Sequence, residues 1–172
     1  RDLVGACFAM GTVCPSTALA FFFHNSSASR GLLPLEAADA GLFDSHEEPE
    51  VRAFAQKLLT RMGEGRWMAN FASESAKSST AAIAISTEAR RGSGPAGEPG
   101  WLIDGVKSFG CATGVADDYL VTAKLPGGDT AEHLAVFMVD RRSEGVGERA
   151  RWDAIGMRAT ATHGITLENV FV

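Results

Sequence analysis

Residues 104–123, "DGVKSFGCATGVADDYLVTA", start on an Asp-Gly pair suited to a tight hairpin and finish as a strand with alternating side chains. Between the two lies a run of small residues that includes Gly110, Cys111, Ala112 and Gly114. Strand interiors favour branched and aromatic side chains, so this run predicts that something flat or large comes close to the backbone. The period of two extends outward on both sides. From Trp67 onward, "WMANFAS", "AAIAISTEAR", "GWLID", "DYLVTAKL", "LAVFMVD" and "GITLENVFV" read as strands separated by Gly, Pro and Asp signals. "RRGSGPAGEPG" reads as a loose loop between two of them, and "LPGGDTAEH" as an exposed connection. Residues 66–172 therefore predict an antiparallel β-sandwich or barrel.

Upstream the period changes. "LVGACFAM" and "STALAFFFHN" are rich in Ala, Leu and Phe, and Pro15 followed by Ser16 and Thr17 suits the first turn of a helix. Both helices are apolar on nearly every side, as in helices buried among others, so residues 1–65 read as a partial all-α domain. In "PEVRAFAQKLLTRMGEG", Val51, Phe54, Ala55, Leu58, Leu59 and Met62 fall on one helical face, with Gly63 placed to end the helix. Helices followed by strands give an α+β fold. No internal repeat is present. No strand-loop-helix surrounds a glycine fingerprint despite 19 glycines, which excludes a Rossmann reading.

Composition narrows the function classes. A chain of 172 residues with 45% hydrophobic and 22% charged residues is an ordinary globular protein. Its net charge of −5 and scattered Lys and Arg lack the footprint of a nucleic-acid binder. The apolar stretch "TALAFFF" is too short to span a bilayer, and no signal-peptide architecture follows Arg1, so a cytoplasmic setting without membrane contact is expected. Cys7, Cys14 and Cys111 form no CxxC pair and predict free thiols. His24, His46, His133 and His163 are too dispersed to argue a metal site.

The order of segments resembles the acyl-CoA dehydrogenase family, from the end of its N-terminal helical domain through nearly all of its middle β-domain. Four stretches carry the resemblance: "CPSTALAFFFHN", "EEPEVRAFAQKLLTRMGEGRWMANFASE", "WLIDGVKSFGCATGVADDYLVTA" and "IGMRATATHGITLENVFV". It implies an FAD cofactor whose ring lies against the β-domain, the small residues making room for it. Phe109 matches the family's Trp beside the flavin, and Cys111 a Thr near its reactive edge. Ser73 matches the Thr of a "TEP" motif, also a flavin contact, and Ser79 a Ser near the flavin pyrophosphate. Glu74, in the same motif, is implied to be structural.

The implied activity is oxidation of an acyl-CoA thioester to the α,β-enoyl-CoA, as in fatty acid metabolism. An electron-transfer flavoprotein would accept the electrons, and a homo-oligomer, a homotetramer in the family, is expected. In the dehydrogenases the catalytic Glu belongs to a C-terminal helical bundle beyond the segment matched here. No catalytic residue is therefore assigned, and the segment alone is not expected to catalyse. "SESAKSST" and "FGC" depart from the family's "TEPxAGSD" and "WIT". Flavin monooxygenases of the same fold often carry an "F-x-S-G" pattern, which "FGCA" approaches, so oxygen-using chemistry is the alternative activity. A scaffold that has lost its flavin is the non-enzymatic alternative.

Overall fold

A computed structural model describes residues 2–74, 85–150 and 152–172. Helices come first: α1 (Asp2–Gly11), α2 (Pro15–Ser26), α3 (Ser29–Asp39) and α4 (Glu48–Gly63). Pro15 occupies the first turn of α2, where a missing N–H costs nothing. Glu48 and Glu50 in the first turn of α4 complement the positive end of its dipole. The amphipathic reading of α4 holds: Phe54, Leu58 and Met62 pack on Met68, Leu120 and Met138 of the sheet. Gly63 is the last helical residue, and the left-handed turn that leaves the helix falls at Gly65, φ +85°.

The rest of the chain forms one curled seven-stranded sheet. Its strands are β1 (Met68–Phe71), β2 (Glu88–Ser93), β3 (Pro99–Gly110), β4 (Asp118–Lys124), β5 (Leu134–Asp140), β6 (Val146–Arg149) and β7 (His163–Phe171). The α+β class stands, but the sheet is mixed where an antiparallel one was expected. Pairs β2–β3, β3–β7, β6–β7 and β4–β5 are antiparallel. Along its other edge β4 takes β1 in parallel, Met68 opposite Asp118, and meets β2 in parallel at Glu88 opposite Lys124. The cause is topological: β3 reverses the direction of β2 and β4 reverses it again, so β4 runs the same way as β2.

The Asp104-Gly105 turn is also corrected. Strand β3 runs straight through the pair, with a bulge between Ile103 and Gly105. Gly105 sits at φ +155°, and a Cβ there would lie 2.5 Å from the Thr87 hydroxyl. The loose loop shortens to residues 94–98, because β2 and β3 stay paired as far as Ser93 opposite Pro99. Strand β6, "VGER", was not expected.

Strand β4 is covered on both faces, Leu120 toward α4 and Tyr119 and Val121 into the core with Phe71, Ile103 and Ile165. Ionic contacts fix the end of α4 and the link after it to β4 and β5: Arg61 of α4 reaches the fully buried Asp118 at 3.2 Å, and Arg66 in the link grips Asp118 at 2.7 and 3.0 Å and Asp140 of β5 at 2.8 Å. Helix α2 is attached separately. His24 Nδ1 accepts from the Met68 N–H at 3.0 Å while its ring stacks on Trp67, and Asn70 donates to Ser27 Oγ at 2.7 Å.

Candidate functional site

Strand β3 ends at Gly110, and the small residues form the turn that follows rather than a strand interior. Their size is explained from inside the molecule. A Cβ on Gly110 would lie 2.1 Å from the Phe71 ring. Ala112 and Gly114 adopt left-handed backbone, φ +64° and +79°, and Cys111 and Ala112 are buried. This corrects the expectation that an approaching external group accounts for the whole run. The turn is pinned by Ala112 N–H to Thr160 O at 2.8 Å, Thr113 N–H to Ala161 O at 3.1 Å, and the Thr113 hydroxyl to Gly110 O at 2.6 Å.

The distortion points one side chain outward. Phe109 has φ +61°, and its residue remains 58% exposed between the buried Ser108 and Gly110. A bulky side chain in left-handed backbone is strained by roughly 1–3 kcal/mol, and such strain gathers at binding and catalytic sites.

A buried ion pair anchors this edge. Lys107 Nζ donates to Glu74 Oε1 at 2.7 Å, with both side chains almost wholly excluded from water. Glu74 also accepts from the Thr87 hydroxyl at 2.7 Å and from the N–H groups of Ser86 and Thr87 at 2.6 and 2.9 Å. Burial alone would raise the Glu74 carboxyl, but Lys107, Thr87 and Ser86 together hold it down at about 2. Burial pulls the Lys107 ammonium below the usual lysine range, with Glu74 opposing. Both oxygens of Glu74 are therefore committed to partners within the protein. One residue away, the Ser108 N–H donates to Ser73 O at 2.9 Å and ties the segment after β1 to the end of β3.

Two clefts meet at Phe109. One, of about 340 Å³, lies between α2, α3 and β1 and is lined by Phe23, Ser26, Arg30, Asn70, Ser73 and Phe109. The other, of about 280 Å³, is lined by Phe109, Arg149, Trp152, Thr162 and His163. The structure therefore brings Ser73 and Phe109 to one cleft. Cys111 stands beneath the second, its Sγ 3.1 Å from Thr162 Oγ1, which in turn is 2.6 Å from Thr160 Oγ1. Ser79 lies outside the described residues. Trp152 carried no sequence signal: it is an isolated aromatic in the connection after β6, brought to Phe109 by the return of the chain into β7. Asp44, His46 and Glu47 also approach one another in an exposed turn, an arrangement common among surface charges.

The sequence profile of the acyl-CoA dehydrogenase middle domain matches residues 69–170. L-evernosamine nitrososynthase from a Micromonospora strain is 33% identical over 126 residues, covering 73% of this chain and 27% of that protein. A solved structure of KijD3 in complex with FMN and a dTDP-linked 3-amino-4-keto sugar superposes with TM-score 0.72 at 27% identity, over 99% of this chain and 37% of that one. An acyl-CoA dehydrogenase complexed with FAD from Bacillus anthracis gives TM-score 0.54 at 25% identity, over 73% of this chain and 20% of that one. The chain thus spans between a fifth and two fifths of these relatives.

Proposed function

The chain belongs to the acyl-CoA dehydrogenase family through its middle domain, and from that premise we propose that it forms the flavin-facing portion of an oxidoreductase acting on a small organic molecule. The cofactor is a flavin, as the FMN and FAD held by the solved relatives support. The residues present fit such a group. A flavin needs an aromatic face for its ring and polar partners at its edge. The observation that carries the reading is Phe109, an aromatic side chain held outward by strained backbone where two clefts meet. Ser73 supplies a hydroxyl in one of these clefts and Cys111 a small neighbour beneath the other, while Ser79, which the resemblance alone adds, lies outside the described residues. A bound flavin would supply two-electron chemistry, either taking two electrons from the substrate for a protein acceptor or, once reduced by a separate electron donor, activating dioxygen for oxidation of the substrate. The protein's part is to seat the ring and keep its edge rigid through Glu74, Lys107 and the Ser108–Ser73 bond.

Two finer readings differ in substrate. Acyl-CoA oxidation with an electron-transfer flavoprotein as acceptor is supported by the family itself and by the FAD-bound dehydrogenase. Oxidation of the amine of a nucleotide-linked amino sugar is supported by "FGC" at Phe109–Cys111, by the nitrososynthase relative and by the KijD3 complex. Anaerobic addition of an acyl-CoA separates them: bleaching of the flavin band supports the first. Oxygen uptake that depends on a dTDP-amino sugar and on prior flavin reduction supports the second. The site itself is tested by Phe109→Ala, which should lower bound flavin per protein after gel filtration while leaving the melting transition in place. Unchanged flavin content would remove Phe109 from the site.

A further inference from the structure

The side chain best built to receive a flat ring, after Phe109, is one that neither the sequence pattern nor the family resemblance singles out. Trp152 is fixed at both ends. Its backbone N–H donates to His163 Nδ1 at 2.9 Å, and its indole Nε1–H donates to Met157 O at 3.0 Å. The indole meets Phe109 edge to face, with ring centroids 6.5 Å apart and planes at 82°. Both rings line the smaller cleft, where the Thr162 hydroxyl and the Arg149 side chain also stand. Among the described residues Arg149, like Arg30, Arg91 and Arg142, has no carboxylate within ion-pair distance, and of these four it is the one that lines this cleft.

A tryptophan whose N–H is already satisfied by the protein contributes only its ring to a ligand. Here that ring is pre-oriented, so ordering it on binding costs little side-chain entropy. The other two tryptophans are occupied elsewhere: Trp67 is stacked on His24, and Trp101 lies under the Arg91 guanidinium.

We infer that Trp152 is a second aromatic wall of the flavin site, holding the ring from the side opposite the helices, with Arg149 at the cleft margin as the counter-charge for an anionic part of the ligand. The inference rests on the reading that Phe109 marks the flavin edge. It adds a contact from the connection between β6 and β7, a segment without any of the residues matched to the family's flavin contacts.

The test uses the flavin-loaded protein and time-resolved flavin emission. Indole within contact distance quenches an excited flavin by electron donation, whereas a phenylalanine fills similar space without donating. Trp152→Phe should retain flavin and lengthen its excited-state lifetime several-fold, while Trp67→Phe and Trp101→Phe leave the lifetime as it was. Trp152→Ala, which removes the wall, should weaken flavin binding about three- to tenfold, the range expected for one aromatic contact. Arg149→Gln should weaken it as well without altering the lifetime. An unchanged lifetime in Trp152→Phe, with flavin retained, would overturn the assignment of Trp152 alone. Retention of flavin by Phe109→Ala with its lifetime unaltered would instead overturn the site reading beneath it.

Discussion

Cys111 occupies a position where volume decides more than polarity. It is buried, its thiol hydrogen-bonds with Thr162, and the next residue, Ala112, takes left-handed backbone. Cys111→Ser preserves both the size and the contact to Thr162, so flavin content and melting temperature should stay near those of the parent. Cys111→Trp overfills a packed site at a cost of roughly 1–3 kcal/mol and should lose flavin first. Equal flavin per protein in the two variants, with folding intact, would show that this turn does not bear on the cofactor. Glu74 presents the opposite case, where charge decides. Its carboxyl is held at about 2, below its unfolded value, so the stability it contributes is complete above the ordinary glutamate range and is lost as pH falls toward 2. Lys107→Met would leave that carboxylate buried without its partner, and about 3–5 kcal/mol of destabilisation is expected in chemical denaturation. The same substitution should erode flavin retention, because Lys107 and Ser108 join the two backbone segments that carry Phe109 and Ser73. A loss under 1 kcal/mol would mean that water reaches the pair.

At the scale of elements, what the sequence disclosed depended on whether an element carries its own periodicity. Helix α4 does, since Phe54, Leu58 and Met62 repeat on one face and meet the sheet as that repeat requires. Strand β6 does not: "VGER" is short, has no apolar alternation, and exists through its pairing with β7 from Val146 opposite Leu167 to Arg149 opposite Gly164. The Asp104-Gly105 pair misled because its glycine serves a bulge beside Thr87 and not a turn; local chemistry is the same until the neighbouring strand is known. The attachment of α2 was equally hidden, because it depends on one nitrogen of His24. That nitrogen accepts from the Met68 N–H, and burial depresses the imidazole below its ordinary value. A depressed histidine contributes stability that is complete above about 6.5 and declines as pH falls below it. Acidification should therefore loosen α2 from β1 well before the Glu74 carboxyl titrates. Amide exchange in α2 and the emission of Trp67 should report this, and His24→Gln should flatten the response between pH 7 and 5, roughly the histidine range. A response that persists in His24→Gln would place the switch elsewhere.

The whole molecule joins a well-filled sheet to a helical segment that keeps much of its apolar surface in water. The sheet was legible in outline from its alternation; the candidate site was legible only in part. Phe109, Cys111 and Ser73 came from resemblance, whereas Trp152 and the Glu74–Lys107 pair depend on contacts across 43 and 33 positions that no local spacing encodes. The helices carry a different message. Helix α1 buries none of its residues, and Val4, Phe8 and Val13 are 73%, 76% and 87% exposed, with Leu32 and Leu33 of α3 and Leu42 after it also at the surface. Isolated exposed apolar residues are ordinary, but a segment apolar on nearly every side is a surface that another surface covers. Each such side chain contributes on the order of 1.5–3 kcal/mol when fully buried, so a few suffice to drive association. The chain should therefore self-associate through its helices, with a sedimentation coefficient that rises with concentration and binding of a hydrophobic dye that falls as it does. Phe8→Glu with Leu33→Glu should shift the chain toward monomer without changing the melting of the sheet, because neither residue belongs to the sheet's core. A parent chain that stays monomeric across that concentration range and binds no dye would show that the helices cover their apolar surface within one molecule.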